Sequence, residues 1–428
     1  MTPALPASEG FSYREHRLHC EDVALDTLAQ HYGTPLYVYS RSAIEGAYAA
    51  YASALKGRSA LVCYAVKANS NLAVLDVLAR RGAGFDIVSG GELARVLAAG
   101  GDASRVVFSG VGKSELEIET AMKAGVACFN VESSPELDRI DAAARRQQKR
   151  ARIALRVNPD IDAKTHPYIS TGLKNNKFGV PYADTLTLCR TAAKQPALDL
   201  VGLGCHIGSQ VTEIAPYVEA AERIIDLVEA LEREKIMLRH IDLGGGLGIR
   251  YRDESPPLAS ELINALLARL DARGHRDKMV IFEPGRSIVG HAGVLLTRVE
   301  YLKPGQSKNF AIVDAAMNDL IRPAMYDAWM NVVPVTPRSD GTKRYDIVGP
   351  VCESADWLAR DRDMALHPGD LLAITSAGAY AMAMSSNYNS RPRSAEVMVD
   401  GARSYCVRQR ETIDALFASE LRLPQRLP

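Results

Sequence analysis

The stretch LVCYAVKAN, residues 61–69, carries a lysine from the end of an apolar segment into a loop. Its first residues are apolar and partly β-branched, which is typical of a buried strand. Asn71 follows it and is suited to cap a helix whose leucines recur at helical spacing. Lys67 therefore lies where a buried strand ends, and an ammonium group is costly there unless the amine has a chemical task.

A lysine in this position has two interpretations. Against an apolar wall we expect the pKa of the Lys67 ammonium to fall, which makes the amine a nucleophile for a carbonyl and a Schiff-base partner for pyridoxal phosphate. A strand-end lysine taken alone is more often a side chain that extends its charged head to water. The rest of the sequence favours the chemical role.

Composition narrows the class of protein. The chain has 428 residues, too many for one compact core, so we expect two domains. Lysine plus arginine equal aspartate plus glutamate at 51 each, which argues against a nucleic-acid or anionic-membrane partner. We expect no signal peptide and no membrane span, because no segment has the required apolar pattern. The seven cysteines show no zinc or CxxC spacing, which predicts reduced thiols in the cytoplasm and no metal site.

Strand-like and helical segments alternate from residue 61 to residue 282. The predicted strands are Leu61–Val66, Phe85–Val88, Val106–Phe108, Ala127–Val131, Ile153–Val157, Leu200–Cys205, Arg239–Leu243 and Val280–Phe282. The helical patterns between them include Glu92–Ala99, Ser114–Ala124, Pro135–Arg146, Ala183–Ala193, Pro216–Glu234 and Ala259–Ala272. This rhythm predicts an α/β fold, a parallel (β/α)8 barrel of the TIM type. A doubly wound sheet is the alternative, but its glycine fingerprint is absent after the first strand.

Chemistry in such a barrel gathers where the strands end. The unusual residues fall at those positions: Lys67 after the first strand, His206 and Ser209 after the sixth, the glycine run that contains Gly246 after the seventh, and Glu283, Gly285 and Arg286 after the eighth. Glycine-bearing loops after strands seven and eight indicate a phosphate site, although tight turns also explain glycine.

Two strand-end side chains could act on an aromatic cofactor. Glu283 could keep a pyridine nitrogen protonated, or could simply form an ion pair with Arg286. His206 could lie against a ring or relay a proton, or could be an ordinary satisfied polar group.

The predicted secondary structure changes after residue 293. Short strand-like runs follow at Val294–Leu302, Phe310–Asp314, Tyr345–Val348, Leu371–Thr375, Ala395–Val399 and Ser404–Val407. They predict a mainly antiparallel β domain over residues 294–428, after a barrel over residues 41–293. We expect residues 1–40 to pack with the β domain, residues 333–343 to form an exposed loop and Glu411–Phe417 to be helical.

The β domain holds further candidates for ligand contacts. Cys352 and Glu353 follow a Gly-Pro turn that would display them at a defined place, and a cysteine near a cationic cofactor could act as an acid. Arg322 suits a carboxylate, and Tyr326 and Tyr380 could add hydrogen bonds. Taken singly, each of these residues is more simply explained as filler or surface.

The motifs together resemble one family. YAVKAN, FDIVSGGE, HIGSQ, GGGLG, EPGR, GPVCES and GAY occur between residues 64 and 380 in the order seen in pyridoxal-phosphate decarboxylases of fold type III. Within that family the chain resembles the members that convert meso-diaminopimelate to L-lysine and carbon dioxide, the last step of bacterial lysine synthesis. Two features carry this finer resemblance: the loop at residues 166–179, and glutamate after Cys352 where ornithine decarboxylases typically carry aspartate.

The resemblance implies roles for particular residues. The implied catalytic residues are Lys67, which holds the cofactor covalently, His206, which stacks on its ring, and Cys352, which protonates the carbanion. Glu283 would face the ring nitrogen, and the implied phosphate ligands are Ser209, Gly246, Gly285 and Arg286. The implied substrate contacts are Arg286, Arg322, Tyr326, Glu353 and Tyr380, of which Tyr380 also touches the phosphate.

The resemblance also implies a homodimer in which the Cys352-Glu353 pair is donated across the interface. A related ornithine or arginine decarboxylase, an alanine racemase and a catalytically silent regulatory homologue are the alternatives. A racemase should lack the GPVCE segment, and silent homologues usually lose the lysine or the cysteine, but this chain keeps all three.

Overall fold

The computed structural model describes residues 10–162, 166, 169, 171–172 and 176–424. Three predictions extend beyond the described residues. They concern residues 1–40, residues 294–428 and the loop at residues 166–179. The described residues divide into two compact units. One unit is Ala43–His291, and the other joins the residues up to Ser42 to those from Ala292 onward.

In the part of the chain that the structure describes, eight parallel strands close into a barrel. They are Ala60–Ala65, Gly84–Ile87, Val106–Phe108, Cys128–Val131, Ala151–Asn158, Leu198–Cys205, His240–Asp242 and Met279–Phe282. The eighth strand pairs with the first and the fourth with the fifth, so no open edge remains between them. The predicted (β/α)8 barrel is therefore confirmed, and the doubly wound alternative is wrong.

Helices follow the strands and cover the barrel. They are Arg41–Ala54, Leu72–Arg80, Gly90–Ala98, Glu115–Ala124, Ser134–Arg146, Tyr182–Ala193, Ala215–Arg233, Ala259–Ala272 and the short Arg286–Val289. Side-chain caps start several of them, as predicted for Asn71, whose Oδ1 accepts a hydrogen bond from the Ala73 N–H at 2.9 Å. Ser114 and Glu117 form a reciprocal capping box at the start of another helix.

Alternate residues of each strand point into the barrel, because the side-chain period of a strand is two. On the fifth strand these are Arg152, Ala154 and Arg156, which lie at successive heights. Ala154 belongs to an apolar interior cluster with Leu61, Cys63, Val107, Cys128, Val201 and Ile281. This apolar layer separates polar side chains at the carboxyl ends of the strands from those at the amino ends.

The second unit is mainly antiparallel. Its described strands form a three-stranded sheet of Phe11–Arg14, Arg17–Cys20 and Val23–Ala24, and a nine-stranded sheet of Leu36–Ser40, Gly293–Lys303, Asn309–Val313, Val332–Pro334, Lys343–Val348, Trp357–Met364, Leu371–Ile374, Ala395–Asp400 and Arg403–Arg408. Leu36–Ser40 lies between Gly293–Lys303 and Ala395–Asp400 in that sheet. The helices Leu25–Tyr32 and Arg322–Tyr326 complete the unit.

One local prediction in this unit is wrong, and another is correct only in part. The segment predicted as a helix at Glu411–Phe417 forms only a 3-10 turn over Asp414–Leu416, because most of its side chains are exposed and bury no apolar face. The predicted exposed loop at 333–343 is confirmed over residues 336–342, but its first two residues belong to strand Val332–Pro334, where Val333 is buried. Among the described residues, no helix combines the length and apolar character that a membrane crossing requires.

Candidate active site

A cavity of about 530 Å³ opens at the carboxyl ends of the barrel strands. Lys67, His206 and Glu283 all line it, so three of the residues singled out in the sequence lie together. Further polar lining comes from Asp86, Ser109, Asn130, Arg156 and Asp242. This size suits a cofactor with a small substrate.

Lys67 lies in a one-turn 3-10 helix, Val66–Ala68, directly after the first strand. Its Nζ donates to Oδ2 of Asp86, a fully buried aspartate on the neighbouring strand. The expected apolar wall is therefore wrong, because the structure puts a carboxylate against the amine. Oδ1 of Asp86 is buried and has no hydrogen-bond partner among the described residues, so this carboxylate can still accept a hydrogen bond from a ligand.

Glu283 and Asp242 form a buried carboxyl pair at the ends of strands eight and seven. The Asn130 side-chain amide lies 3.4 Å from an oxygen of each. Burial raises the pKa of Glu283 well above its ordinary value, and the Asp242 and Asp86 carboxylates raise it further. The pair therefore holds a proton more readily than ordinary carboxyl groups do, and a basic ring nitrogen could take up such a proton.

His206 is held as a neutral imidazole. The Gly245 N–H donates to its Nδ1 at 3.2 Å, so Nε2 carries the ring proton. Burial lowers the pKa of His206 well below its ordinary value, and the charges of Arg156 and Lys67 lower it further. An uncharged ring in this place suits stacking against an aromatic ligand.

Arg286 joins the loops after strands six and eight. Its Nη2 donates to Ser209 Oγ at 3.0 Å, and its Nη1 donates to the Tyr251 hydroxyl at 2.7 Å. Gly285 precedes it at the start of the short helix Arg286–Val289. The buried guanidinium thus lies beside a hydroxyl and a helix start, a donor set that suits an oxyanion.

Gly246 joins the seventh loop to the same cluster. Its φ of +99° and the 2.0 Å separation between an added Cβ and the Gly208 carbonyl oxygen leave room only for glycine. Its carbonyl accepts the Val211 N–H at 3.0 Å, which links the loops after strands six and seven. The four predicted phosphate residues therefore lie on three loops that bond to one another.

The buried carboxylate of Glu132 connects several loops around the cavity. Glu132 accepts hydrogen bonds from the Gly110 N–H at 2.8 Å, the Gly179 N–H at 3.1 Å and Arg156 Nη1 at 3.1 Å. The loops after strands three, four and five are thereby tied to one carboxylate.

Lys113 adds a second anchor. Its Nζ lies 2.6 Å from Glu136 Oε1 and donates to the carbonyls of Gly110 and Asn130, both at 2.8 Å. Both ends of this ion pair are buried, at 0% and 6% side-chain exposure. Gly110 and Asn130 line the cavity, so the pair holds part of its wall.

These residues fit pyridoxal phosphate. A lysine amine for its carbonyl, a carboxyl that can exchange a proton with its ring nitrogen and an unpartnered carboxylate oxygen lie in one cavity. The Ser209–Arg286 cluster would hold the phosphate. The chemistry that the cofactor supplies is an electron sink for an amino acid.

The remaining predicted residues lie in the second unit, which is described by itself. Arg322 is buried, and its guanidinium carbon lies 5.8 Å from the centroid of the Tyr326 ring. Cys352 is exposed, so it is not the buried filler that an isolated cysteine suggests. Glu353 accepts a hydrogen bond from the Tyr388 hydroxyl at 2.7 Å.

Tyr380 lies in a loop with an unusual backbone. Its φ is +53° and that of Ser376 is +56°, a region that side chains larger than glycine rarely adopt. Strain of this kind clusters at ligand sites, which keeps Tyr380 a candidate contact.

Asp86, Asn130 and Asp242 also line the cavity, although the sequence did not identify them as site residues. Each is a polar residue within a short run that was interpreted as a buried strand. A polar residue inside a buried strand could have identified them, because a charged or amide side chain in an apolar strand needs a partner.

Comparison with known proteins places the chain. Residues 41–290 match the sequence model of a family described as "Pyridoxal-dependent decarboxylase, pyridoxal binding domain". The diaminopimelate decarboxylase of Pseudomonas aeruginosa is 59% identical over 97% of this chain and 99% of its own length. The crystal structure of the Helicobacter pylori diaminopimelate decarboxylase complexed with L-lysine is similar with a TM-score of 0.89 and 43% identity, and covers 92% of this chain and 99% of that one.

A co-complex of the M. jannaschii diaminopimelate decarboxylase with L-lysine gives a TM-score of 0.93 at 36% identity, over 98% of this chain and 99% of that one. The similarity therefore extends over both the barrel and the β unit. The sequence identities are higher than a shared fold alone would explain. The chain belongs to the diaminopimelate decarboxylase family of pyridoxal-dependent decarboxylases.

Proposed function

We propose that this chain decarboxylates meso-2,6-diaminopimelate to L-lysine and carbon dioxide with pyridoxal phosphate, as the last step of lysine biosynthesis. The observation that carries the proposal is the cavity that Lys67, His206 and Glu283 line together, in a chain 59% identical to a diaminopimelate decarboxylase. The relatives crystallised with L-lysine support the product.

Residues of the barrel bind and polarise the cofactor. In this proposal Lys67 would hold the cofactor covalently through its amine, in exchange with the substrate amine. Glu283 would keep the ring nitrogen protonated, and the neutral His206 ring would lie against the cofactor ring. When bound, pyridoxal phosphate supplies the sink for the electron pair left at the α-carbon as carbon dioxide departs.

Residues of the second unit complete the chemistry in this proposal. Cys352 returns a proton to the α-carbon, and its exposure supports access to a reacting atom. The substrate has a carboxylate and an ammonium at its far end. Arg286 and Arg322 match the far carboxylate and Glu353 matches the far ammonium, while Tyr326 adds a hydrogen bond and Tyr380 contacts both substrate and phosphate.

We further propose that the enzyme is a cytoplasmic homodimer with a shared active site. The barrel, residues 41–293, would bind the cofactor, and residues 294–428 with 1–40 would form the β domain. Cys352 and Lys67 belong to different units, which supports a site completed by a second copy. The match of the pyridoxal-binding family model to residues 41–290 supports the division.

The test combines a labelling and an activity measurement. Borohydride reduction and peptide mapping should place a pyridoxyl group on Lys67, and carbon dioxide should be released from meso-diaminopimelate. Lys67→Ala should abolish both signals, whereas Lys123→Ala, which removes an exposed helical lysine, should leave both unchanged. Label on another lysine would contradict the site, and equal turnover of ornithine would contradict the substrate.

A further inference from the structure

A second cavity, of about 570 Å³, lies at the opposite end of the barrel from Lys67. It is lined by residues at the amino ends of the strands, including Arg105, Arg152, Asp199, Arg239 and His240. The apolar layer around Ala154 separates it from the cofactor cavity. Nothing in the proposed reaction uses these side chains.

The lining of this cavity carries excess positive charge. Of its three arginines, as far as the structure describes the chain, Arg239 forms an ion pair with Asp199. Arg105 and Arg152 instead donate to the backbone carbonyls of Gly82 and Val126, at 2.6 and 3.3 Å. Neither forms an ion pair with a described residue, so two guanidinium charges at one mouth remain uncompensated.

Two buried polar atoms in this lining have no hydrogen-bond partner among the described residues: Nε of Arg105 and Nε2 of His240. His240 is only 5% exposed and points inward, as does Asp242 two residues later. Burial lowers the pKa of His240 to about 4, so its ring is neutral and can offer one N–H. Buried polar groups without a partner are rare in proteins, so the wall of this cavity is unusually poor in acceptors.

We propose that this cavity binds a small phosphate-bearing anion. Arg105 and Arg152 each spend one Nη on a backbone carbonyl, and the guanidinium donors that remain match the oxygens of a phosphate group. A metal ion is excluded by the cationic lining. Asp199 is the one carboxylate among the described lining residues, and it already pairs with Arg239, so Arg105 and Arg152 find no carboxylate partner in this cavity.

The test is a titration of the holoenzyme, in which the cofactor already fills the phosphate site beside Arg286. Inorganic phosphate and pyrophosphate are titrated by calorimetry at constant ionic strength, with malonate as a dicarboxylate of similar charge. Saturable binding of phosphate or pyrophosphate is expected. Tighter binding of inorganic phosphate would indicate that the ligand is free phosphate. Tighter binding of pyrophosphate would indicate a phosphorylated metabolite.

Variants tie the binding to this cavity. Arg105→Gln and Arg152→Gln should each weaken binding about tenfold, the usual effect of losing a charge-assisted hydrogen bond. Arg152→Lys should weaken it less, and Arg233→Gln, an exposed arginine on a barrel helix, should match wild type. Arg152 is exposed, so its variants carry the test if Arg105→Gln does not fold.

Three results would overturn the proposal. They are the absence of saturable phosphate and pyrophosphate binding, equal affinity in wild type and both glutamine variants, and equal or tighter binding of malonate. The visible absorbance of the bound cofactor confirms that each variant is folded.

Discussion

Replacing Lys113 with methionine should destabilise the barrel by about 3–5 kcal/mol, the usual cost of breaking a buried ion pair. The size follows from burial: Nζ and its partner Glu136 are 0% and 6% exposed and lie 2.6 Å apart. The substitution also leaves the carbonyls of Gly110 and Asn130 without their donor. Glu136 keeps one hydrogen bond, from the Glu132 N–H at 2.8 Å.

The control is an exposed ion pair. Arg344 and Asp363 are 66% and 60% exposed, so Arg344→Gln should change stability by about 0–1 kcal/mol. A third variant, Lys113→Met with Glu136→Leu, should recover part of the loss because no charge is left buried alone.

Urea unfolding of the holoenzyme measures these changes unit by unit. The visible signal of the bound cofactor reports the barrel, which matches a pyridoxal-binding domain, while both tryptophans, Trp329 and Trp357, lie in the other unit. The urea midpoint measured from the cofactor signal should fall in Lys113→Met. The small stability change in Arg344→Gln should be measured from tryptophan fluorescence. A Lys113→Met barrel no less stable than that of Arg344→Gln would refute the reasoning from burial.

The loss in Lys113→Met should also depend on pH. Burial raises the pKa of Glu136, and the Lys113 charge opposes that rise. Without Lys113 the folded carboxyl binds its proton still more tightly than the unfolded one. The penalty is therefore full above the folded pKa and shrinks as pH falls towards it, so the gap to wild type should be larger at about pH 8 than at about pH 6.

Three further predictions concern activity. Mixing Lys67→Ala with Cys352→Ala protein should restore part of the turnover through hybrid dimers; no recovery after confirmed subunit exchange would argue against donation across the interface. Wild type should discriminate strongly against lysine and ornithine, which would leave a desolvated arginine unpaired at about 2–5 kcal/mol, and kcat/KM in Arg322→Ala should show that preference reduced. Glu132→Gln should lower kcat/KM about tenfold to a hundredfold because Arg156 loses its charged partner, and unchanged kinetics would mean that the three loops hold without it.

Much of the barrel could be predicted because its apolar runs match the strand and helix periods. Val106–Phe108 and Ala259–Ala272 have the predicted bounds in the structure. The hairpin of Phe11–Arg14 and Arg17–Cys20 could not be predicted, since its turn is made by Glu15 and His16. Both have positive φ without being glycine or asparagine, so the usual hairpin signal is missing.

Site residues that follow a strand could be predicted from the sequence, whereas site residues within a strand could not. Lys67, His206 and Glu283 were recognisable because each is a polar residue at the point where an apolar run ends and a loop begins. Asp86 and Asp242 were not, because their partners come from other strands: Asp86 meets Lys67 only when the first two strands pair. Pairing across a closed sheet is a property that no local window of sequence contains.

The buried acids also explain how the cavity can be both stable and reactive. Burying carboxylates without cations is costly. The barrel lowers this cost by pairing Asp86 with Lys67, and burial raises the pKa of Glu283, which favours its uncharged form. In the proposed function Glu283 would face the ring nitrogen, and a positive charge there would favour the Glu283 carboxylate. The arrangement that lowers the cost of burial would then also favour the electron-withdrawing form of the cofactor.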